Sequence, residues 1–149
     1  MEQEGTYPLP EAQIDRFMLK IKVEYPSRAE ELKVMELSAY ESQEEIQPVL
    51  NADDIFKARE IISQVHIDEK INRYIVDLVT ATRSPREFGI DDLDGLVEYG
   101  ASPRASIYLN KLARVNAFLA GRGYVIPNDI KQIGMDVLRH RVIVTFEAE

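Results

Sequence analysis

The run from Pro103 to about Ala120 sets the terms for any fold of this chain. Ile107, Leu109, Leu112, Ala113, Val115, Ala117, Phe118 and Leu119 cover most of the circumference of a helix drawn through it. A helix that is apolar nearly all round is stable only when other elements surround it. The expected architecture is therefore a bundle with this helix at its centre. With 149 residues, 45% of them hydrophobic, the chain has enough apolar side chains for one real core.

The segments that can pack on it announce themselves by caps and periodicity. Ser27-Arg-Ala-Glu30 is a capping box, which predicts a helix from there to about Tyr40. Asn51 caps a second helix, with Ile55, Ala58, Ile61, Ile62 and Val65 on its inner face. Asp68 caps a third, with Ile71, Tyr74, Ile75, Leu78 and Val79 at the i, i+3, i+4, i+7 and i+8 positions. Gly121 and Gly123 end the central helix, and Pro127 opens a last one with Ile130, Ile133, Val137 and Leu138 inward.

Strand signals are fewer. From Phe17 to Glu24, Leu19, Ile21 and Val23 alternate with Lys20, Lys22 and Glu24, the pattern of a half-buried strand. Ile46 to Leu50 contains Pro48, so an edge strand is the most it can form. Val142 to Phe146 is β-branched, and a small sheet with Ile46 to Leu50 is expected. Between Ser84 and Tyr99 lies a long connection with Asp91, Asp92 and Asp94. It lacks the rest of a calcium-loop pattern and reads as a solvated acidic loop. The fold class is mainly α: a helical bundle with a small β-sheet.

Most chemistries lack their residues. There is no cysteine, no G-x-x-x-x-G-K-[ST] phosphate loop, and no apolar strand ending in Asp-Glu to hold magnesium. His66 and His140 are far apart and without a ligand cluster, which leaves no metal site. No apolar run reaches membrane-spanning length. The net charge of −8 argues against a nucleic-acid partner, a helix-turn-helix reader included. That charge is uneven: residues 99–149 hold 7 Lys and Arg against 4 Asp and Glu, leaving 11 against 22 before them.

The basic end contains the one arrangement that asks for a ligand. In Gly100-Ala-Ser-Pro-Arg-Ala-Ser106, Ser102 is an N-cap and Pro103 suits the first helical position. Arg104 then falls in the first turn, where the helix dipole disfavours a cation. A phosphate would resolve this, because free N–H groups, the dipole and a guanidinium would all point at it. A solvated arginine, or one paired with a nearby acid, would resolve it equally well.

This heptad resembles the sensor-2 motif of the MoxR family of AAA+ ATPases. Three more segments resemble the same family in the same order: Glu2-Gln-Glu-Gly-Thr-Tyr-Pro-Leu-Pro-Glu-Ala-Gln-Ile-Asp-Arg-Phe17, Gly121-Arg-Gly-Tyr-Val-Ile-Pro-Asn-Asp-Ile130 and Val137-Leu-Arg-His-Arg141. Where the family has a hydroxyl residue before the proline of the last helix, this chain has Ile126.

The resemblance implies the C-terminal part of such an ATPase. Residues 1–25 would be the tail of the nucleotide-binding core, and residues 26–149 the helical lid. The strand at Phe17 to Glu24 would be an orphan from the core sheet, frayed or paired with another molecule. ATP and magnesium would belong to the whole protein, and this chain, without the phosphate-loop and magnesium motifs, would bind neither alone. Arg104, with Ser102 and Pro103, would contact the β/γ-phosphates in cis. Arg16 of Asp15-Arg16-Phe17 would be an arginine finger acting in trans, the simpler alternative being a pair with Asp15 or Glu11. The family further implies a homo-oligomeric ring, a hexamer, in the cytoplasm. Chaperone-like remodelling with von Willebrand factor A domain partners or other clients would be its task. The rival reading is a free-standing helical interaction module with no nucleotide role.

Overall fold

The computed structural model describes residues 9–39 and 46–148. The sequence motif from Glu2 therefore enters it only at Leu9, and the expected helix end at Tyr40 lies outside the described residues. The helices are α1 (Glu11–Ile14), α2 (Arg28–Ala39), α3 (Ala52–Gln64), α4 (Glu69–Ala81), α5 (Pro103–Leu119) and α6 (Pro127–Leu138). Two short strands, β1 (Val97–Tyr99) and β2 (Ile143–Val144), pair antiparallel.

The bundle is built on α5, as its composition requires. Ala105, Leu109, Ala113 and Ala117, spaced four apart, are fully buried. Three of the four are alanines, so neighbouring helices can approach closely. Onto this stripe α6 packs Ile130 and Val137, and α4 packs Ile75 and Val79. Ile107 and Leu119, 54% and 74% exposed, lie outside the core, so the apolar circumference of α5 is not fully covered among the described residues.

Local signals settle the helix starts. Ser27 and Glu30 form the predicted capping box, as do Asn51 and Asp54. Asp68 caps α4 through the Lys70 N–H. Ile126 has no side-chain acceptor, and its cap is one-sided: its own N–H donates to Asp129 Oδ2 at 2.8 Å.

Three expectations are corrected. No strand forms at Phe17 to Glu24, where only Leu19 is half-buried. A strand needs a ladder partner, and here the segment's link to the bundle beyond residue 19 is the Lys20 N–H on the Asp136 carbonyl. The small sheet does not use Ile46 to Leu50, which is exposed and unpaired by any ladder; β2 pairs instead with β1, inside the connection read as a loop. Of the predicted inner face of α3, Val65 is buried and Ala58 and Ile62 half-buried, while Ile55 and Ile61 stay about half exposed. Ahead of β1 that connection holds two short 3₁₀ turns, Pro85–Phe88 and Asp91–Leu93, and its acids are solvated, Asp94 pairing with Arg86.

Gly100 is required by a close approach rather than by an unusual φ. A Cβ there would stand 2.4 Å from the Thr82 carbonyl oxygen and 2.6 Å from Arg83 Cγ. The same contact lets the Ala101 N–H donate to Thr82 Oγ1 at 2.9 Å, seating the start of α5 on the end of α4. Gly100→Ala is expected to cost about 1–3 kcal/mol of stability by overpacking, read as a lowered urea midpoint with an unchanged m-value; an unchanged midpoint would show that this joint yields.

Candidate functional site

At the N-terminus of α5, residues from both ends of the chain meet. The Ser102 hydroxyl accepts from the Arg104 N–H at 3.2 Å, which is the predicted cap. The same hydroxyl lies 3.0 Å from both carboxylate oxygens of Asp15 and donates to that group. Arg104 Nη1 donates to Asp15 Oδ2 at 2.8 Å. So a negative group does stand at the electropositive end of α5, and it is the chain's own carboxylate.

Arg104 is paired but not enclosed: 41% of its side chain is exposed. A guanidinium carries five N–H donors, and Asp15 engages a single nitrogen. Among the described residues the remaining donors are unengaged.

The third participant, Arg141, enters the sequence reading only as the last residue of the family-like segment Val137-Leu-Arg-His-Arg141, with no role attached. The structure gives it more. Its side chain is fully buried, and Nε donates to Asp15 Oδ1 at 3.0 Å. Nη2 donates to the carbonyls of Asp15 and Phe17, and Nη1 to that of Val137. The guanidinium also stands 5.0 Å from the centre of the Tyr108 ring, a cation–π contact. Burial pulls the pKa of Arg141 below its ordinary value, with the Asp15 charge opposing that pull.

Arg16 follows Asp15 directly. Its carbonyl accepts from Tyr108 Oη at 3.1 Å, so residues 15 to 17 are fastened to α5 and α6 by their backbone. Its side chain is exposed, and it forms no ion pair with Asp15 or Glu11. His140 closes the same side, with Nε2 3.0 Å from the Phe17 carbonyl. Burial lowers the pKa of His140, the Phe17 carbonyl only partly offsetting it. Pro103 is solvent-facing at the first helical position, where its ring preorganises the turn.

The arrangement thus joins one half-exposed guanidinium, one exposed guanidinium, and an ion pair between buried Arg141 and partly buried Asp15 whose arginine fixes the backbone of residues 15 to 17. It offers charge-assisted donors to an anion. No group of His, Cys, Asp and Glu among the described residues is disposed to hold a metal ion, and no helix there is long and apolar enough to cross a membrane.

Comparison with known proteins gives a consistent picture. Residues 94–149 match the AAA lid domain. Chaperone MoxR1 of Mycobacterium tuberculosis is 41% identical over 99% of this chain and 39% of its own length. Protein MoxR of Methylorubrum extorquens is 34% identical over 97% of the chain and 45% of its own. The solved structure of an ATPase candidate from Cytophaga hutchinsonii superposes with a TM-score of 0.92 at 44% identity, covering 99% of this chain and 45% of that one. The chain therefore spans less than half the length of these relatives.

Proposed function

Because the chain belongs to the MoxR family of AAA+ ATPases and contains its lid region, we propose that it serves as the C-terminal part of a longer ATPase. Residues 1–25 close the nucleotide-binding core and residues 26–149 form the lid, which couples the state of a bound nucleotide to remodelling of partner proteins. ATP with magnesium supplies the triphosphate, held mainly by the rest of the longer protein; no residue of this chain is assigned to the metal. In this reading Arg104 meets the β/γ-phosphates in cis and Arg16 reaches the nucleotide of the adjacent subunit in a ring, a hexamer by family resemblance. Partners with von Willebrand factor A domains, or other clients, and a cytoplasmic setting follow from the same resemblance.

The observation that carries the reading is the half-exposed guanidinium of Arg104 beside a capped helix N-terminus. A cation in a first turn is disfavoured unless an anion accompanies it. Asp15 satisfies that need in this structure while leaving donors over, so the residues present fit a phosphate oxygen as a second anion.

A charged hydrogen bond of this kind is worth about 1.5–3 kcal/mol. Arg104→Ala in the full-length protein is therefore expected to weaken ATP binding by roughly ten- to a hundredfold. Equilibrium titration with a slowly hydrolysed ATP analogue reads this directly. Unchanged affinity together with unchanged turnover would remove Arg104 from the nucleotide site.

A further inference from the structure

Asp15 touches two of the site's guanidinium groups, those of Arg104 and Arg141, and its two oxygens have different tasks. Oδ1 accepts from Arg141 Nε and Oδ2 from Arg104 Nη1, while the Ser102 hydroxyl bridges both. Arg141 is buried completely and also holds the Asp15 carbonyl, so the carboxylate is fixed both at its head and through its backbone. Arg104 is the more exposed partner, with 41% of its side chain in solvent.

We propose that Asp15 is a positioning residue: anchored by Arg141 and Ser102, it holds Arg104 by one terminal nitrogen and leaves the rest of that guanidinium presented to a nucleotide phosphate. This rests on the phosphate contact of Arg104 proposed above. Two physical arguments support it. A long arginine side chain loses rotamer freedom when it is immobilised on a ligand, and an arginine already held has lost part of that freedom beforehand. The dipole of α5 repels a cation in its first turn, and a fixed carboxylate offsets the repulsion without any phosphate.

The geometry favours holding over sequestration. The Asp15–Arg104 contact is single rather than bidentate, so a phosphate at the unengaged nitrogens need not break it. The lone pairs of Asp15 are already directed to Ser102 and Arg141. Because Arg16 is the next residue along, the anchor that steadies Arg104 also fixes the backbone from which Arg16 projects.

The test is a cycle of Asp15→Asn and Arg104→Ala in the full-length protein, read as the dissociation constant of a slowly hydrolysed ATP analogue. Asp15→Asn alone is expected to weaken binding by roughly fivefold, the share of preorganisation in one immobilised side chain. In the Arg104→Ala background it is expected to do nothing further. Equal weakening in both backgrounds would reveal general damage to the site and overturn the proposal. Unchanged binding by Asp15→Asn would overturn it too. Tighter binding would show that Asp15 sequesters Arg104 instead. Should Arg104→Ala itself leave the constant unchanged, the phosphate contact fails and this inference falls with it, an outcome distinct from a silent Asp15→Asn on an active Arg104. If Asp15→Asn does not fold, Asp15→Asn/Arg141→Met, compared with Arg141→Met, removes the buried cation together with its anion and is read the same way.

Discussion

Arg16→Ala in the full-length protein is expected to lower ATP turnover by roughly 10³-fold, the lower end of what arginine fingers contribute elsewhere. Affinity for ATP is expected to change little. The split follows from where Arg16 sits. Its carbonyl is held by Tyr108, and the carbonyls on either side of it by Arg141, so its backbone is fixed while its side chain stays exposed. In the proposed trans role, a cation presented in this way would stabilise charge that develops on a neighbour's triphosphate during transfer, and would add little to ground-state binding. Mixing provides the sharper measurement. Arg16→Ala subunits combined with hydrolysis-dead subunits that retain Arg16 should recover activity, because each protein supplies what the other lacks. No recovery on mixing, with both proteins shown to co-assemble, would place the action of Arg16 in cis.

The second large effect concerns stability. Asp129 has 2% of its side chain exposed, and both oxygens accept from Arg122, at 2.5 and 3.0 Å. One of them also takes the Ile126 N–H at the start of α6. Asp129→Ala removes the charged bonds and the one-sided cap together, an expected loss of about 3 kcal/mol. Equilibrium urea unfolding measures it, and a loss below about 1 kcal/mol would mean that water replaces the carboxylate at little cost. The pH dependence has a definite sign. Burial by itself would raise the Asp129 pKa, but the Arg122 hydrogen bonds and the Ile126 N–H outweigh it, and the pKa lies below its ordinary value of 3.8. A lowered folded-state pKa gives stabilisation that is fully present above 3.8 and is lost as pH falls through the folded value. The stability gap between the native protein and Asp129→Ala should therefore narrow only in strong acid.

This pair also shows how partial a reading from sequence is. Gly121-Arg-Gly-Tyr-Val-Ile-Pro-Asn-Asp-Ile130 was recognisable as a family-like stretch, and the absence of a hydroxyl cap at Ile126 was evident. That Asp129 accepts the Ile126 N–H from three residues on, the other half of a capping box, could have been suspected from that spacing, whereas its pairing with Arg122 could not. His140 and Arg141 offered less. A cation after a helix is ordinary, and nothing local distinguishes one that stays in water from one that becomes the anchor of Asp15.

Two of the three corrected expectations concern strands and share one physical cause. The strand expected at Phe17 to Glu24 rests on alternation, and the sheet expected between Ile46 to Leu50 and Val142 to Phe146 on apolar and β-branched content. Alternation reports which residues would share a face, not which other segment supplies the ladder. The observed partner of β2, Val97 to Tyr99, lies in a connection whose Gly and Asp content hid three residues of strand.

What the residues determined unaided was everything governed by neighbours within about one helical turn. The starts at Ser27, Asn51, Asp68 and Ser102 and the stop at Gly121 with φ 69° all follow from interactions of that range. Tertiary structure decided the site. It brought Asp15 to Arg141 across 126 residues and to Arg104 across 89, and it chose the strand pairing. Contacts between residues so far apart leave no periodic trace along the chain. They exist only once the burial of α5 has folded the rest around it and left the Asp15 carboxylate where two guanidinium groups converge.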